Sequence, residues 1–193
     1  MRIIAGRHRG LHLAEVGKGD PAAHLRPTTD RVRESLFNLL AGGRFGDPIT
    51  GAVVLDLFAG TGALGLEALS RGAAHVTLVD SGRVAQKLIR DNIARLQRQS
   101  DAALLAADAS ALPPRTGPAA DLVFLDPPYG ADLGGRALIA ARKSGWIADG
   151  ALVVAEENGP LPPPAGFTLL ESRRYGDTHI TLLRAEPQPQ PAD

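Results

Sequence analysis

The 193-residue chain has no cysteine, a single tryptophan and no apolar run longer than a strand. Without thiols there is no disulfide scaffold and no thiolate metal site. Without a long apolar run there is no membrane-spanning helix. No apolar stretch of signal-peptide length follows Arg2, so a cytoplasmic location is expected. Net charge is missing too, because 21 Lys/Arg balance 21 Asp/Glu. What remains is 44% apolar and 22% charged, the composition of a globular chain rather than a disordered or fibrous one. Its length suits one α/β core and is too short for two ordinary domains.

The zero net charge hides an asymmetry. Residues 1–33 hold seven Lys/Arg against Glu15, Asp20 and Asp30, a balance of +4, and the rest of the chain carries −4. His8, His12 and His24 also lie in the basic part. A basic arm on an acidic body points to an anionic partner met by the N-terminal region; charge alone fits a solvated surface strand equally well. Residues 3–6 and 11–13 flank Arg7-His8-Arg9-Gly10 and predict a short hairpin with a basic tip. A glycine-rich polar loop follows over 17–26.

The spacing of Val32, Leu36, Phe37 and Leu40 predicts a helix, capped by Thr28 or Thr29 and stopped by Gly42-Gly43. Beyond residue 52 strands alternate with helices. Strands are expected over 52–58, 75–80, 103–106, 122–125 and 151–156, with an antiparallel pair over 167–172 and 179–185. Helices are expected over 63–70, 83–98 (Val84, Leu88, Ile93 and Leu96 inward) and within 133–144. The alternation predicts an α/β, mostly parallel seven-stranded sheet with helices on both faces. Trp146 is expected to pack in the core or a loop, and His75 and His179 to be structural. The Pro-rich segment 159–166 reads as a connector, and 187–193 as a disordered tail. The expected division is an arm over 1–25, a domain over 26–186 and that tail.

Ligands of such sheets bind beyond the carboxyl ends of the strands, where the distinctive segments of this chain fall. Asp56-Leu57-Phe58-Ala59-Gly60-Thr61-Gly62 joins the first strand to its helix. Gly60 and Gly62 permit a tight turn and close approach of a ligand, and Gly65 permits close helix–strand packing. Asp80 ends the next strand, 20 residues after Gly60, a spacing that suits a carboxylate accepting from two ribose hydroxyls; an N-cap is its structural alternative. Asp108 follows the third strand, placed to accept from an adenine amino group or to cap a short helix. A pyrophosphate on the glycine turn is disfavoured by Asp56 beside it, whereas the ammonium of a methionine moiety is favoured. The set therefore points to a sulfonium cofactor over a dinucleotide.

Asp126-Pro127-Pro128-Tyr129 directly follows the apolar run 122–125. Two prolines fix φ and remove two backbone donors, so no helix or ladder uses them. Their carbonyls stand in a rigid corner beside a carboxylate and an aromatic face. Converging acceptors hold an NH2 group, and the ring stacks on the base that carries it. An ordinary buried loop with a packed Tyr129 is the alternative.

In this order, the glycine turn, Asp80, Asp108 and the Asp126–Tyr129 corner resemble the motifs of class I S-adenosylmethionine-dependent methyltransferases acting on amino groups. Residues 2–10, 26–38, 56–71 and 123–129 narrow the resemblance to the RsmD family of bacterial 16S rRNA guanine-N2 methyltransferases. It runs from residue 2 to about residue 186. The resemblance implies a Rossmann-like methyltransferase fold with a small N-terminal β-hairpin extension. It implies S-adenosyl-L-methionine as cofactor, held by Asp56, Phe58, Ala59, Gly60, Thr61, Gly62, Asp80, Ser81, Asp108 and Ala109, with Arg26 and Thr28 in a segment that closes over it. Asp126, Pro127, Pro128 and Tyr129 become the catalytic corner. Arg7, His8, Arg9, Arg31 and Arg33 become contacts to the partner, 16S rRNA, free or within an assembling small ribosomal subunit; pairing with Glu34 or Asp30 is a structural alternative for the last two. No metal and no membrane are implied, and a monomer is expected because one chain supplies every motif. Other readings are transfer to DNA adenine or protein glutamine, an NAD-dependent oxidoreductase, and an RNA-binding assembly protein without catalysis.

Overall fold

The computed structural model describes residues 1–15, 30–128, 133–176 and 178–188. Its helices are α1 (Asp30–Ala41), α2 (Ala63–Ser70), α3 (Arg83–Leu96) and α4 (Leu133–Lys143). Its strands are β1 (Val53–Leu57), β2 (His75–Val79), β3 (Ala102–Leu105), β4 (Ala120–Leu125), β5 (Ile147–Glu157), β6 (Phe167–Tyr175) and β7 (Thr178–Ala185). They form one sheet in the order β3-β2-β1-β4-β5-β7-β6, parallel except where β7 runs antiparallel to β5 and β6. The chain moves outward from β1 to β3, then returns to lay β4 on the other side of β1. That reversal opens a crevice above the carboxyl ends of β1 and β4.

Alternation along the strands divides the core between the two faces. Val54, Val76, Leu122, Phe124, Leu152 and Val154 pack with α1, α2, α3 and the N-terminal arm. Their neighbours Leu55, Leu57, Val123, Leu125 and Val153 pack with α4. Ile3 and Leu13 of the arm are buried in the first of these cores, so the arm shares the core of the domain it covers. Trp146 is buried, and its indole N–H donates to the Pro113 carbonyl at 2.7 Å.

The structure departs from the sequence pattern at β6, which runs to Tyr175 rather than 172, at β5 and at Val84. β5 begins at Ile147 rather than 151, because the pairing with β4 jumps from Ala120↔Ile147 to Leu122↔Leu152. Asp149 and Gly150 occupy that irregularity, with Gly150 at φ +75°, and a polar Asp-Gly pair inside a strand reads as a turn. Val84, expected inward, is 37% exposed. Ala85, Leu88, Ile89, Asn92, Ile93 and Leu96 form the buried stripe of α3 instead, and Val84 falls on its flank.

The expected hairpin is present. The Ile3 N–H donates to Leu11 O at 2.9 Å, Gly10 N–H to Ile3 O at 2.8 Å, and Arg2 bridges His12. Its mount is α2, whose carboxylate Glu67 is fully buried. Glu67 accepts from the Ile4 N–H at 2.7 Å, the Ala5 N–H at 3.0 Å and Arg71 Nε at 2.7 Å. Ser70 completes the seat: its Oγ accepts from His8 N–H and donates to Ala5 O, and its carbonyl accepts from Arg7 N–H. The chain passes so close that a Cβ on Gly6, at φ +80°, would lie 2.0 Å from the Ser70 carbonyl oxygen. Arg71 then lies over the Phe37 ring at 4.6 Å, and Phe37 meets Phe124 at 5.7 Å between centroids. A continuous series of contacts thus joins the hairpin to β4, two residues before Asp126.

Glu67→Ala leaves two backbone donors and Arg71 without their acceptor in a buried place. A loss of about 3 kcal/mol or more in urea unfolding is expected. Amide exchange should accelerate first at Ile4 and Ala5, and Glu67→Gln should be milder because one acceptor oxygen remains.

Candidate active site

The crevice is lined by three strand ends. Beyond β1 the backbone turns at Phe58, a non-glycine residue at φ +60°, a left-handed conformation that persists where the surroundings impose it. Ala59 N–H donates to Val79 O at 2.9 Å, and Gly62 N–H to Ala59 O at 2.7 Å. Gly60 and Gly62, at φ +58° and +80°, deliver the chain into α2. Asp80 at the end of β2 closes this turn from the side. Its Oδ2 accepts from Gly60 N–H at 2.9 Å and its Oδ1 from Gly82 N–H at 2.8 Å. One carboxylate therefore fastens two turns, while the N-cap of α3 is Gly82.

Asp56 lies beneath the turn, 1% exposed, with Oδ2 accepting from Gly65 N–H at 2.9 Å. A Cβ on Gly65 would stand 2.6 Å from Val76 Cγ2, 2.8 Å from Leu78 Cδ2 and 3.0 Å from Asp56 Oδ2, so α2 packs on β1 and β2 only with glycine there. Burial pushes the Asp56 carboxyl up to about 7 against the opposing Gly65 bond, and the nearby Asp80 charge pushes the same way. Residues 56–70 include no Lys or Arg. Two mutually repelling carboxylates and no cation along the glycine turn suit a positively charged ligand and disfavour a pyrophosphate.

Asp126 continues from β4, whose Leu125 pairs with Leu57 of β1, so Asp126 lies beside Phe58. It is half-buried and its N–H donates to Leu57 O at 3.4 Å. Pro127 is buried and Pro128 exposed. Tyr129, Arg26 and Thr28 lie outside the described residues. Ser81 is exposed and Ala109 buried. Asp108 is exposed, and its Oδ1 accepts from the N–H and Oγ of Ser110, both at 2.8 Å. These bonds hold its carboxyl below the usual range.

The basic residues separate into two groups. Arg7, Arg9 and Arg31 are exposed. Arg33 is corrected: its side chain is 0% exposed, and Nη2 donates to the Arg2 carbonyl and to Asp30, so it braces the arm on α1 and does not face RNA. His8 is half-buried: its Nδ1 is buried without a partner among the described residues, and burial with Arg98 and Arg7 nearby lowers its pKa. The tip itself seats on the last turn of α2, eight residues and about 12 Å along the helix from the glycine turn.

Two residues of consequence were not singled out from the sequence. Glu67 is one, and Asn92 the other: fully buried, it donates through Nδ2 to Thr61 O at 2.9 Å and Ala14 O at 3.3 Å, and accepts from Ala14 N–H at 2.6 Å. It ties the glycine turn to the end of the arm. The available signal was a polar residue within an apolar stripe, Glu67 in ALGLEALS and Asn92 beside Ile89 and Ile93.

A family model described as conserved hypothetical protein 95 matches residues 1–184. The chain is also 40% identical over 192 residues to ribosomal RNA small subunit methyltransferase D of Escherichia coli strain K12, covering 97% of this chain and 91% of that protein. The chain belongs to the RsmD family. Its counterpart of the same name in Haemophilus influenzae is 35% identical over 189 residues, with 95% and 93% covered. The solved structure of Escherichia coli YhhF superposes with a TM-score of 0.80 at 38% identity, covering 97% of this chain and 99% of that one. The fold is the Rossmann-like methyltransferase fold, and this RsmD relative is a methyltransferase. Among the described residues, no helix is long and apolar enough to cross a membrane and no group of His/Cys/Asp/Glu is placed to hold a metal ion.

Asp56 gives a pH test. Because its folded pKa is raised, the unfolded chain releases this proton first. Its contribution to stability is best near pH 4, falls as pH rises towards about 7, and is flat above. Asp56→Asn keeps the size and one acceptor for Gly65 N–H. Urea unfolding at pH 5 and 8 should show the variant losing less stability between the two, by up to about 2.5 kcal/mol.

Proposed function

We propose that the protein transfers the methyl group of S-adenosylmethionine to the exocyclic N2 of a guanosine in the small-subunit ribosomal RNA. The rRNA substrate rests on near full-length similarity to relatives named ribosomal RNA small subunit methyltransferase D. The cofactor rests on the observation that carries the reading: a glycine turn flanked by Asp56 and Asp80 with no cation, one strand away from the Asp-Pro-Pro corner. A dinucleotide would place its pyrophosphate against those carboxylates. No observation favours DNA adenine or protein glutamine.

Asp80 would accept from the ribose hydroxyls while still holding Gly60 and Gly82, and Asp56 would stand behind the methionine ammonium, whose positive charge favours the ionised carboxylate. Asp108 and Ala109 would flank the adenine, and Arg26 and Thr28 would be further cofactor contacts. The sulfonium supplies an electrophilic methyl group and keeps the electron pair of the broken C–S bond. On the other side, the Asp126 carboxylate and the Pro127 carbonyl accept from the two N2 hydrogens, which makes the delocalised lone pair more available. Held in line, the nitrogen forms the new C–N bond and releases one proton to Asp126 or to water. Pro128 stiffens the corner and Tyr129 stacks on the base, which leaves its helix or loop to enter. Arg7, Arg9 and Arg31 contact phosphates. No step requires a metal.

Mass spectrometry of nucleosides from small-subunit rRNA, from cells with and without the gene, tests the reading. Loss of N2-methylguanosine at one site on deletion is the expected result; unchanged rRNA would remove it.

Asp80→Ala should weaken S-adenosylmethionine binding in calorimetry by about 1.5–3 kcal/mol through lost charge-assisted bonds. Normal binding would confine Asp80 to fastening the turns.

Asp126→Ala should retain cofactor binding and lose about 10²–10³-fold or more in single-turnover methyl transfer. Asp126→Asn separates the causes. If the negative charge matters Asn is nearly as slow as Ala, and if one acceptor suffices it keeps much of the rate. Wild-type rates for both would make the corner a scaffold.

A further inference from the structure

The outward side of α3 is basic along its length. Arg83, Lys87 and Arg90, spaced i, i+4 and i+7, occupy one stripe, with successive members about 6 Å and about 4.5 Å apart along the axis. All three are exposed, opposite the buried stripe of Ala85, Leu88, Ile89, Asn92 and Leu96. Among the described residues none of them has an ion-pair partner, whereas Arg44, Arg98, Arg142 and Arg173 are each paired with a carboxylate. Asp91 is the one acid of the helix and lies beside the stripe, so the helix carries a balance of +3 from Arg83, Lys87, Arg90 and Arg95.

The stripe joins two places already described. Arg83 stands three residues beyond Asp80. At the other end Arg95 Nη1 donates to the His12 carbonyl at 3.3 Å, and His8 lies near Arg98 and the Leu96 carbonyl. The exposed Arg7 and Arg9 of the hairpin tip therefore continue a basic surface that runs about 20 Å along a 14-residue helix towards the cofactor end. Like charges at these spacings repel, and a surface that keeps four of them with Asp91 as the one counter-charge of the helix suits a polyanion. No aromatic residue occurs in α3, so the stripe has nothing to stack on a base and is suited to phosphates alone.

We infer that Arg83, Lys87 and Arg90 form a phosphate track for the rRNA strand that flanks the target nucleotide, continuing the hairpin contact along α3. The inference rests on the rRNA reading and assigns that substrate a sequence-independent contact outside the catalytic corner.

The test is the salt dependence of binding to in vitro transcribed small-subunit rRNA. It compares wild type, the triple variant Arg83→Gln, Lys87→Gln, Arg90→Gln, and the double variant Arg7→Gln, Arg9→Gln. Three phosphate contacts predict that log affinity against log salt becomes shallower by about 2 in the triple variant. Calorimetric affinity for S-adenosylmethionine and the unfolding midpoint should stay unchanged, because these side chains are exposed and unpaired. An unchanged slope in the triple variant with a shallower slope in the double variant overturns the track and leaves the rRNA reading standing. Unchanged slopes in both remove RNA from this face altogether. Normal binding of naked rRNA with lost methylation of assembled small subunits also overturns it, in favour of a protein partner on the ribosome. A shallower slope with an altered unfolding midpoint is checked with the single variants; if no single variant shallows the slope at a normal midpoint, the track is overturned.

Discussion

A carboxylate shut away from water dictates how the N-terminal half is assembled. Glu67 has no exposed surface, so its charge must be met by protein donors, and the donors supplied are two backbone N–H groups of the arm and Arg71. The arm is thereby obliged to lie across α2. Arg71, held by the same carboxylate, covers Phe37, and Phe37 rests on Phe124 of β4. The hairpin, α1 and the strand that presents Asp126 are positioned through this one buried charge. Asn92 performs a matching task at the other end of α2, where it joins Ala14 to the turn at Thr61.

Most of the sheet was legible in the sequence because its central strands are short continuous apolar runs, buried on both faces, and the site was legible because its glycines and carboxylates follow those runs. Asp56, Asp80 and Asp126 each stand where a strand ends or nears its end, and a chemical requirement on a short segment leaves a local trace. Arg33, Glu67 and Asn92 were misread or missed for the opposite reason. Beyond the local pairs with Asp30 and Arg71, Arg33 and Glu67 meet the arm 31, 62 and 63 residues away and Asn92 meets it 78 away, and a basic residue looks alike in sequence whether it faces solvent or a carbonyl. β5 was read short because Asp149-Gly150 makes a bulge rather than a turn, a choice set by the neighbouring strand.

Two regions of opposite electrostatic character result. The glycine turn is surrounded by carboxylates, one of them desolvated enough to titrate near neutrality. The hairpin tip and the outer side of α3 are basic. A polyanion is attracted to the second and repelled from the first, and a cationic ligand the reverse. This division also explains a net charge of zero, which is the sum of two unlike surfaces and describes neither.

The seat of the hairpin is made almost wholly from main-chain groups: the N–H groups of Ile4, Ala5, Arg7 and His8 and the carbonyl of Ala5. Only Gly6 is demanded by shape. The side chains of Arg7 and Arg9 are exposed and take no part in the seat, so these two are free to vary without loosening the joint. The arrangement is a socket with an exchangeable head, so a tip of different sequence, even one chosen to recognise a different RNA fold, can be carried on the same catalytic body.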